Sequence, residues 1–382
     1  MKENILMRFK NVLAAILCTM LTDPIAYASA EVQEAKPCPE KIADYLFYME
    51  LDDYTFFGMP QNDSPMFHVG CSSIRKGDLY GRNLDLSYCE TPEFVIRVHA
   101  KSGRFASIGV CADPTITCNV AEMSEAELLS MPNITNDGIN ENGVIISENV
   151  VIAEGIDDMR GTAPGREQVH ASRVVRYVLD RAASASHAVE LMKGIDIVGG
   201  FSGDALHWMI ADEKDTFVVE IIHGELAVSR NGYPYMTNFY LNYGPMQEIQ
   251  RIAENEFRDV PLLNSHAMGV ERWCTLRDGY DAIGSVQDMA ELLASVDGSA
   301  LYDDTKHPLR YSDCVGDTLP INGSQTAFDE EMSRQYGYFR QRDRKAPQSD
   351  WFTWHTSVYE IENRALHVYS QEEYSAFFSF QL

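Results

Sequence analysis

Tight turns between short β-type runs constrain this chain more than any other feature. "CSSIR" and "LYGRNLDL" (71–75 and 79–86) are separated by "KGD", and "EFVIRVHA" and "FASIGVCA" (93–100 and 105–112) by "KSGR". A turn that short brings a strand back only antiparallel to its predecessor. "NDGINENG" (136–143) reads as a cluster of turns before the strand "VIISENVVIA", and a further strand series runs from "ALHWMIA" to "PYMTNF" (205–239). Helical spacing is expected at 168–193, 245–258, 270–282 and 286–296, and the chain returns to strand in "DWFTWHTSVYEI" and "ALHVYS" (350–361 and 365–370). Alternating hairpin and helix blocks predict one α+β domain, with antiparallel sheets and helices outside them. No glycine-rich phosphate loop or strand–GxGxxG–helix unit is present, so no nucleotide cofactor is expected.

The first seventy residues read differently. Lys2, Arg8 and Lys10 precede the apolar run "VLAAILCTML", which ends in "AYASA". That is the pattern of a secretory signal over 1–30, too short to span a bilayer. It implies export to a periplasmic or extracellular space, with no membrane span in the mature protein. Residues 31–70 are acidic and Pro-punctuated, with one helical-looking piece, "EKIADYLFYMEL" (40–51). A formal net charge of −26 leaves no basic stripe for phosphates, which argues against nucleic acid as a partner. The eight cysteines show no metal-ligand spacing, so no metal is expected. Export permits disulfides, and "CADPTITC" has the spacing to close a small loop between Cys111 and Cys118.

The chemistry concentrates at "HVGCSSIRKGDLYGRNLDL" (68–86). A thiol attacks a carbonyl when it is partly thiolate and beside a base. No histidine stands in a recognisable cysteine-protease signature, although a His-assisted thiol is an open alternative. The other base is the cysteine's own amine. If the chain is cut between Gly70 and Cys71, Cys71 carries an α-amino group of pKa ~7.7–8.0 beside a thiol of ~8.5. Gly70, with no Cβ, lets the backbone take the shape that self-cleavage needs. Residues 31–70 are then expected to leave as a propeptide, and 71–382 to be the catalytic domain. Arg82 is the candidate cation for the thiolate and Asp85 the candidate acceptor for the amine. Their odd separation puts them on opposite faces of a regular strand, so they converge only if the strand bends or ends near Asn83.

These residues resemble the choloylglycine hydrolase and penicillin V acylase family, cysteine N-terminal nucleophile hydrolases of linear amides. The resemblance rests on "CSSI…GDLYGRNLDL", "DGINENGVIISENVV", "YMTNFYL", "GVERWCTLRD" and "WHTSVYEIENRALHVY", in the family's order over nearly all of 71–382. It implies a four-layer αββα fold with two antiparallel sheets between helical layers. It implies Cys71 as nucleophile and base, Arg82 at the thiol, Asp85 at the amine, and Asn238 donating to the oxyanion. Asn149 is the second oxyanion member through backbone or side chain, with Val150 one residue away as the alternative. Arg272 completes the cluster, in competition with Arg277. The family needs no cofactor or metal and favours homo-oligomers. Its partner is a small-molecule amide with an apolar acyl group. Two departures stand out: a short span from Cys71 to Arg82, which makes the first hairpin tight, and a signal with a long stretch before Cys71, which points to an exported, propeptide-processed branch. An acyltransferase on the same fold and an inactive secreted binding protein are the rival readings.

Overall fold

The hairpin pattern is realised as two large sheets. The computed structural model describes residues 37–59, 70–87, 91–112, 119–152, 161–199, 204–244, 269–297 and 351–382. Among them, one nine-stranded sheet joins β1 (Glu40–Ala43), β2 (Leu46–Leu51), β5 (Glu93–Val98), β6 (Ser107–Ala112), β7 (Thr135–Asn140), β8 (Ile145–Ile152), β11 (Asp204–Ala211), β12 (Thr216–Ile222) and β13 (Glu225–Arg230), in that order. A six-stranded sheet runs β14 (Tyr235–Met236), β3 (Gly70–Lys76), β4 (Leu79–Ser87), β15 (Trp351–Glu360), β16 (Ala365–Ser370) and β17 (Phe378–Gln381). Pairing is antiparallel throughout both except between β2 and β5, which run parallel. β9 (Gln168–His170) and β10 (Asp196–Val198) form a small parallel pair.

Among the described residues the α-helices are α1 (Glu125–Ser130), α2 (Val174–Arg181), α3 (Ala185–Gly194), α4 (Val270–Gly279) and α5 (Val286–Ala294). α2 and α3 pack on the nine-stranded sheet, and α4 and α5 on the six-stranded one. The sheets face each other through side chains such as Ser73 and Ser147, whose hydroxyls lie 2.8 Å apart. The layers are therefore helix, sheet, sheet, helix, as expected. Serine hydroxyls satisfy the first orphan N–H groups of three helices: Ser124 on α1, Ser184 on α3 and Ser285 on α5. Ser184 also breaks the expected continuous helix over 168–193, which resolves into β9, α2 and α3.

Two local expectations are corrected. "EKIADYLFYMEL" is not helical but the hairpin β1–β2, turned at Tyr45 with φ +61°. A short apolar run does not by itself distinguish helix from strand, and pairing of β2 along β5 decides it. "NDGIN" is strand β7 rather than turn. Gly138 is there for close approach: a Cβ would sit 2.7 Å from Leu179 of α2 and 2.8 Å from the backbone oxygen of Ile108. Gly138→Ala is expected to destabilise the fold by about 1–3 kcal/mol, read as a lower denaturant midpoint at unchanged slope.

The folded unit also begins earlier than Cys71. The compact unit runs from Pro37 to Leu382. Leu46, Met49, Leu51 and Tyr54 are buried in it. Tyr45 and Leu51 carbonyls accept from Glu93 N (2.6 Å) and His99 N (2.9 Å). Asn133 binds the Thr55 carbonyl (3.0 Å) and the Phe57 N–H (2.8 Å). In the uncut chain 37–59 is thus packed into the folded unit, ahead of the expected cut at Gly70–Cys71. Cys111 is a free buried thiol 3.3 Å from Thr135 Oγ1, so it does not show the expected bridge. The signal over 1–30, the helix expected at 245–258 and Cys118 lie outside the described residues. Among those described, no helix is long and apolar enough to cross a membrane.

Candidate active site

Cys71 is the second residue of β3, fully buried against Leu84, Ala112 and Trp354. Register determines what reaches it. Cys71 pairs with Leu84 and Ser73 with Arg82, so Arg82 shares the face of Cys71 that looks into the gap between the sheets. Its Nη2 lies 3.8 Å from the Cys71 sulfur and donates to the Glu148 carbonyl at 3.0 Å. Nη1 donates to Asp137 Oδ2 at 2.9 Å.

The strand does not bend to bring Asp85 beside Arg82. Asp85 points to the opposite face, where it accepts from Thr353 Oγ1 at 2.7 Å and pairs with Arg272 at 3.4 Å. The two charges approach Cys71 from different sides. Arg272 makes the connection: Nη1 donates to the Cys71 carbonyl at 2.7 Å and to Ser72 Oγ at 3.2 Å, and Nη2 to Asn238 Oδ1. Arg272 is therefore the arginine of the cluster. Arg277 is partly exposed and pairs with its neighbour Asp278.

Asn238 Oδ1 accepts from Cys71 N at 3.0 Å, and its Nδ2 donates to the Val150 carbonyl at 2.7 Å. An amide nitrogen has two hydrogens, so the second has no partner among the described residues. Asn149 differs. Its Nδ2 faces two carbonyls, Met236 at 3.3 Å and Thr237 at 3.2 Å, and its Oδ1 takes the Ser73 hydroxyl at 3.2 Å. Its side chain clamps the segment that presents Asn238, which leaves only its backbone for an oxyanion. Of the residues expected from the sequence, Arg82, Asn238 and Arg272 touch Cys71, Asp85 reaches it through Arg272, and Asn149 stands behind Asn238 through the Thr237 carbonyl.

The electrostatics are set by burial. Burial pushes the Cys71 thiol up; Arg82 pulls it down and Asp85 pushes it up again. Burial also raises Asp85, outweighing Arg272 and the Thr353 hydroxyl. Asp137 is the exception: burial raises it, but Arg82, His355 and Tyr359 together hold it at about 2. Burial raises Glu148 to about 8 against the pull of Arg82. The folded Glu148 therefore keeps its proton from the ordinary carboxyl range, ~4.3, up to that value while the unfolded form loses it. Its contribution to stability is full below ~4.3 and falls as pH rises toward about 8. Glu148→Gln is expected to flatten this loss, with a gain on the order of 1–3 kcal/mol at pH 7.5 and little change at pH 4, measured by denaturant unfolding at both pH values.

Five buried residues around the site escaped the sequence reading: Glu93, Asp137, Glu148, His355 and Tyr359. Asp137 was hidden in an apparent turn cluster. The available signal was a histidine and a tyrosine within one strand, "WHTSVYEI".

Residues 71–244 match the family described as linear amide C-N hydrolases, choloylglycine hydrolase family. A comparison with curated proteins finds no match. Among solved structures, two variants of conjugated bile acid hydrolase from Clostridium perfringens are similar at 14% identity, with TM-scores of 0.47 and 0.46. In both comparisons 82% of this chain and 92% of the other are covered. Penicillin V acylase from Agrobacterium tumefaciens is similar at 14% identity and TM-score 0.44, covering 82% of this chain and 86% of that one. The stretch that matches this family of linear amide C–N hydrolases, residues 71–244, holds Cys71, Arg82, Asp85, Asn149 and Asn238.

Proposed function

We propose that the protein is an exported amidase that hydrolyses linear N-acyl amides with Cys71 as an N-terminal nucleophile, after the chain is cut at Gly70–Cys71. One observation carries the reading: a cysteine at a strand start, preceded by glycine, has a guanidinium at its sulfur and an asparagine oxygen on its nitrogen. In the uncut chain the sulfur attacks the Gly70 carbonyl carbon. The C–N bond breaks, the nitrogen takes a proton, and water then releases Gly70 as a carboxylate. The freed amine stays within reach of Asn238 Oδ1 and adds a cation that favours the thiolate.

In turnover the thiolate attacks the substrate carbonyl. The spare hydrogen of Asn238 Nδ2 and a backbone N–H near Asn149 supply the oxyanion donors. The Cys71 ammonium protonates the leaving amine, and the resulting neutral amine takes a proton from water as water opens the thioester. The buried apolar wall of Leu84, Ala112 and Trp354 beside the thiol suits an apolar acyl group.

The test is N-terminal sequencing of the exported protein, followed by a panel of linear N-acyl amides assayed for free amine. The expected result is an N-terminus at Cys71 together with release of amine and acid in equal amounts. A single N-terminus upstream of Cys71 in an active protein overturns the amine-as-base mechanism. Acyl transfer to an added amine, without acid, overturns hydrolysis as the outcome.

A further inference from the structure

Behind Arg82 lies a row of buried charges that the proposed chemistry does not use. His355 of β15 has Nδ1 2.7 Å from Glu93 Oε1 and Nε2 3.0 Å from Asp137 Oδ2. Asp137 Oδ2 also accepts from Arg82, and its Oδ1 accepts from Tyr359. The order is Glu93, His355, Asp137, Arg82, Cys71, with alternating sign, and every member is fully buried. The row crosses the gap between the sheets three times. Glu93 and Asp137 come from the nine-stranded sheet, and His355, Arg82 and Cys71 from the six-stranded one.

We propose that His355 is a positioning residue, held as an imidazolium between Glu93 and Asp137, that fixes Asp137 on Arg82 and so fixes Arg82 at the Cys71 sulfur. This rests on the reading of Cys71 as nucleophile. Hydrogen-bond chemistry carries the argument. Each ring nitrogen faces a carboxylate oxygen, and a carboxylate accepts rather than donates, so the site is built for a ring with a hydrogen on both nitrogens. The groups facing the ring are Glu93 from β5, Asp137 from β7 and Arg82 from β4, with Tyr359 of its own strand behind Asp137. Arg82 Nη1 lies 3.3 Å from Nε2, and both donors point at the one oxygen, Asp137 Oδ2. Burial works against a charged ring, and Glu93 followed by Asp137 outweighs it, so the imidazolium is retained above its ordinary range.

The far end of the row is anchored by the segment upstream of the cut. Glu93 N donates to the Tyr45 carbonyl at 2.6 Å, and Glu93 pairs in register with Leu46. Glu93 Oε2 has no hydrogen-bond partner among the described residues. Within that set, His355 is the one side chain bonded to the Glu93 carboxylate.

The experiment follows the His355 ring ¹⁵N and Cys71 Cβ ¹³C resonances with pH in the mature protein, and needs no substrate. Both His355 nitrogens are expected to remain in the imidazolium range to pH 8. His355→Gln is expected to raise the Cys71 midpoint by about one unit, a tenfold loss of thiolate at a pH below it. Because that variant leaves Glu93 buried without its cation, the pair Glu93→Gln with His355→Gln removes both charges together and is expected to show the same rise. A ring that titrates near ~6.5, or a folded double variant whose Cys71 midpoint matches the wild type, overturns the proposal. If the midpoint moves as expected but no amide is hydrolysed, the nucleophile reading fails and the positioning role stands.

Discussion

Cys71→Ala is expected to leave the Gly70–Cys71 bond intact and to lower amide hydrolysis by roughly 10⁴-fold or more, since both steps use the same sulfur. Intact mass reads the first effect and amine release the second. The two belong together because both draw on the Cys71 thiol, with Arg82 3.8 Å from it. Cys71→Ser sharpens the result. A hydroxyl keeps the size and hydrogen-bonding capacity of the position but is scarcely ionised at neutral pH, and the guanidinium at 3.8 Å does not bridge that gap. The serine variant should fold with an unchanged denaturant midpoint and turn over slowly if at all. A Cys71→Ala protein that is still cut at Gly70, or that retains wild-type hydrolysis, places the nucleophile elsewhere.

The second large effect concerns the segment before the cut. When cleavage occurs, the piece holding 37–59 is expected to stay with the 71–382 chain as a non-covalent complex. Leu46, Met49, Leu51 and Tyr54 are all buried, and burying such side chains contributes roughly 1.5–3 kcal/mol each. Four of them approach the whole stability of an ordinary domain, about 5–15 kcal/mol. Native size-exclusion of the cut protein should give one peak holding both pieces, which separate on a denaturing gel. A chain begun at Cys71 should be expressed as insoluble or unfolded protein, because the β5 edge loses its parallel partner and Glu93 loses the strand beside it. A soluble, active 71–382 protein with no upstream piece sinks this expectation.

What could be read without coordinates followed from local chemistry. Hairpin turns and apolar alternation predicted the antiparallel sheets, and Gly70–Cys71 with Arg82 and Asp85 marked the site. The resemblance then supplied Asn149, Asn238 and Arg272. The misreadings share a cause. "EKIADYLFYMEL" has the composition of either element, and only pairing with β5 makes it a strand. "NDGIN" looked like turns because glycine and asparagine are turn residues. Here Gly138 makes room for Leu179, and Asp137 is an inner charge.

Strand parity was legible and held: Arg82 and Asp85 do point to opposite faces. The sequence had no means of showing that this is no obstacle, because Arg272 lies on a helix some 200 residues away and links the Asp85 face back to Cys71. The choice between Arg272 and Arg277 is of the same kind. Both stand on α4, and which one meets the site depends on how that helix is rotated against β3 and β14.

The sequence by itself determined the period-two pattern, the tight hairpin turns after Arg75 and Ala100 and the candidate thiol, since each depends on neighbours a few bonds away. The tertiary structure alone decided which charges share a face, that residues 37–59 belong to the folded unit, and that His355 stands between Glu93 and Asp137. Those outcomes depend on pairing between distant strands, where burial removes water and makes every charge answer to the partners the fold brings to it.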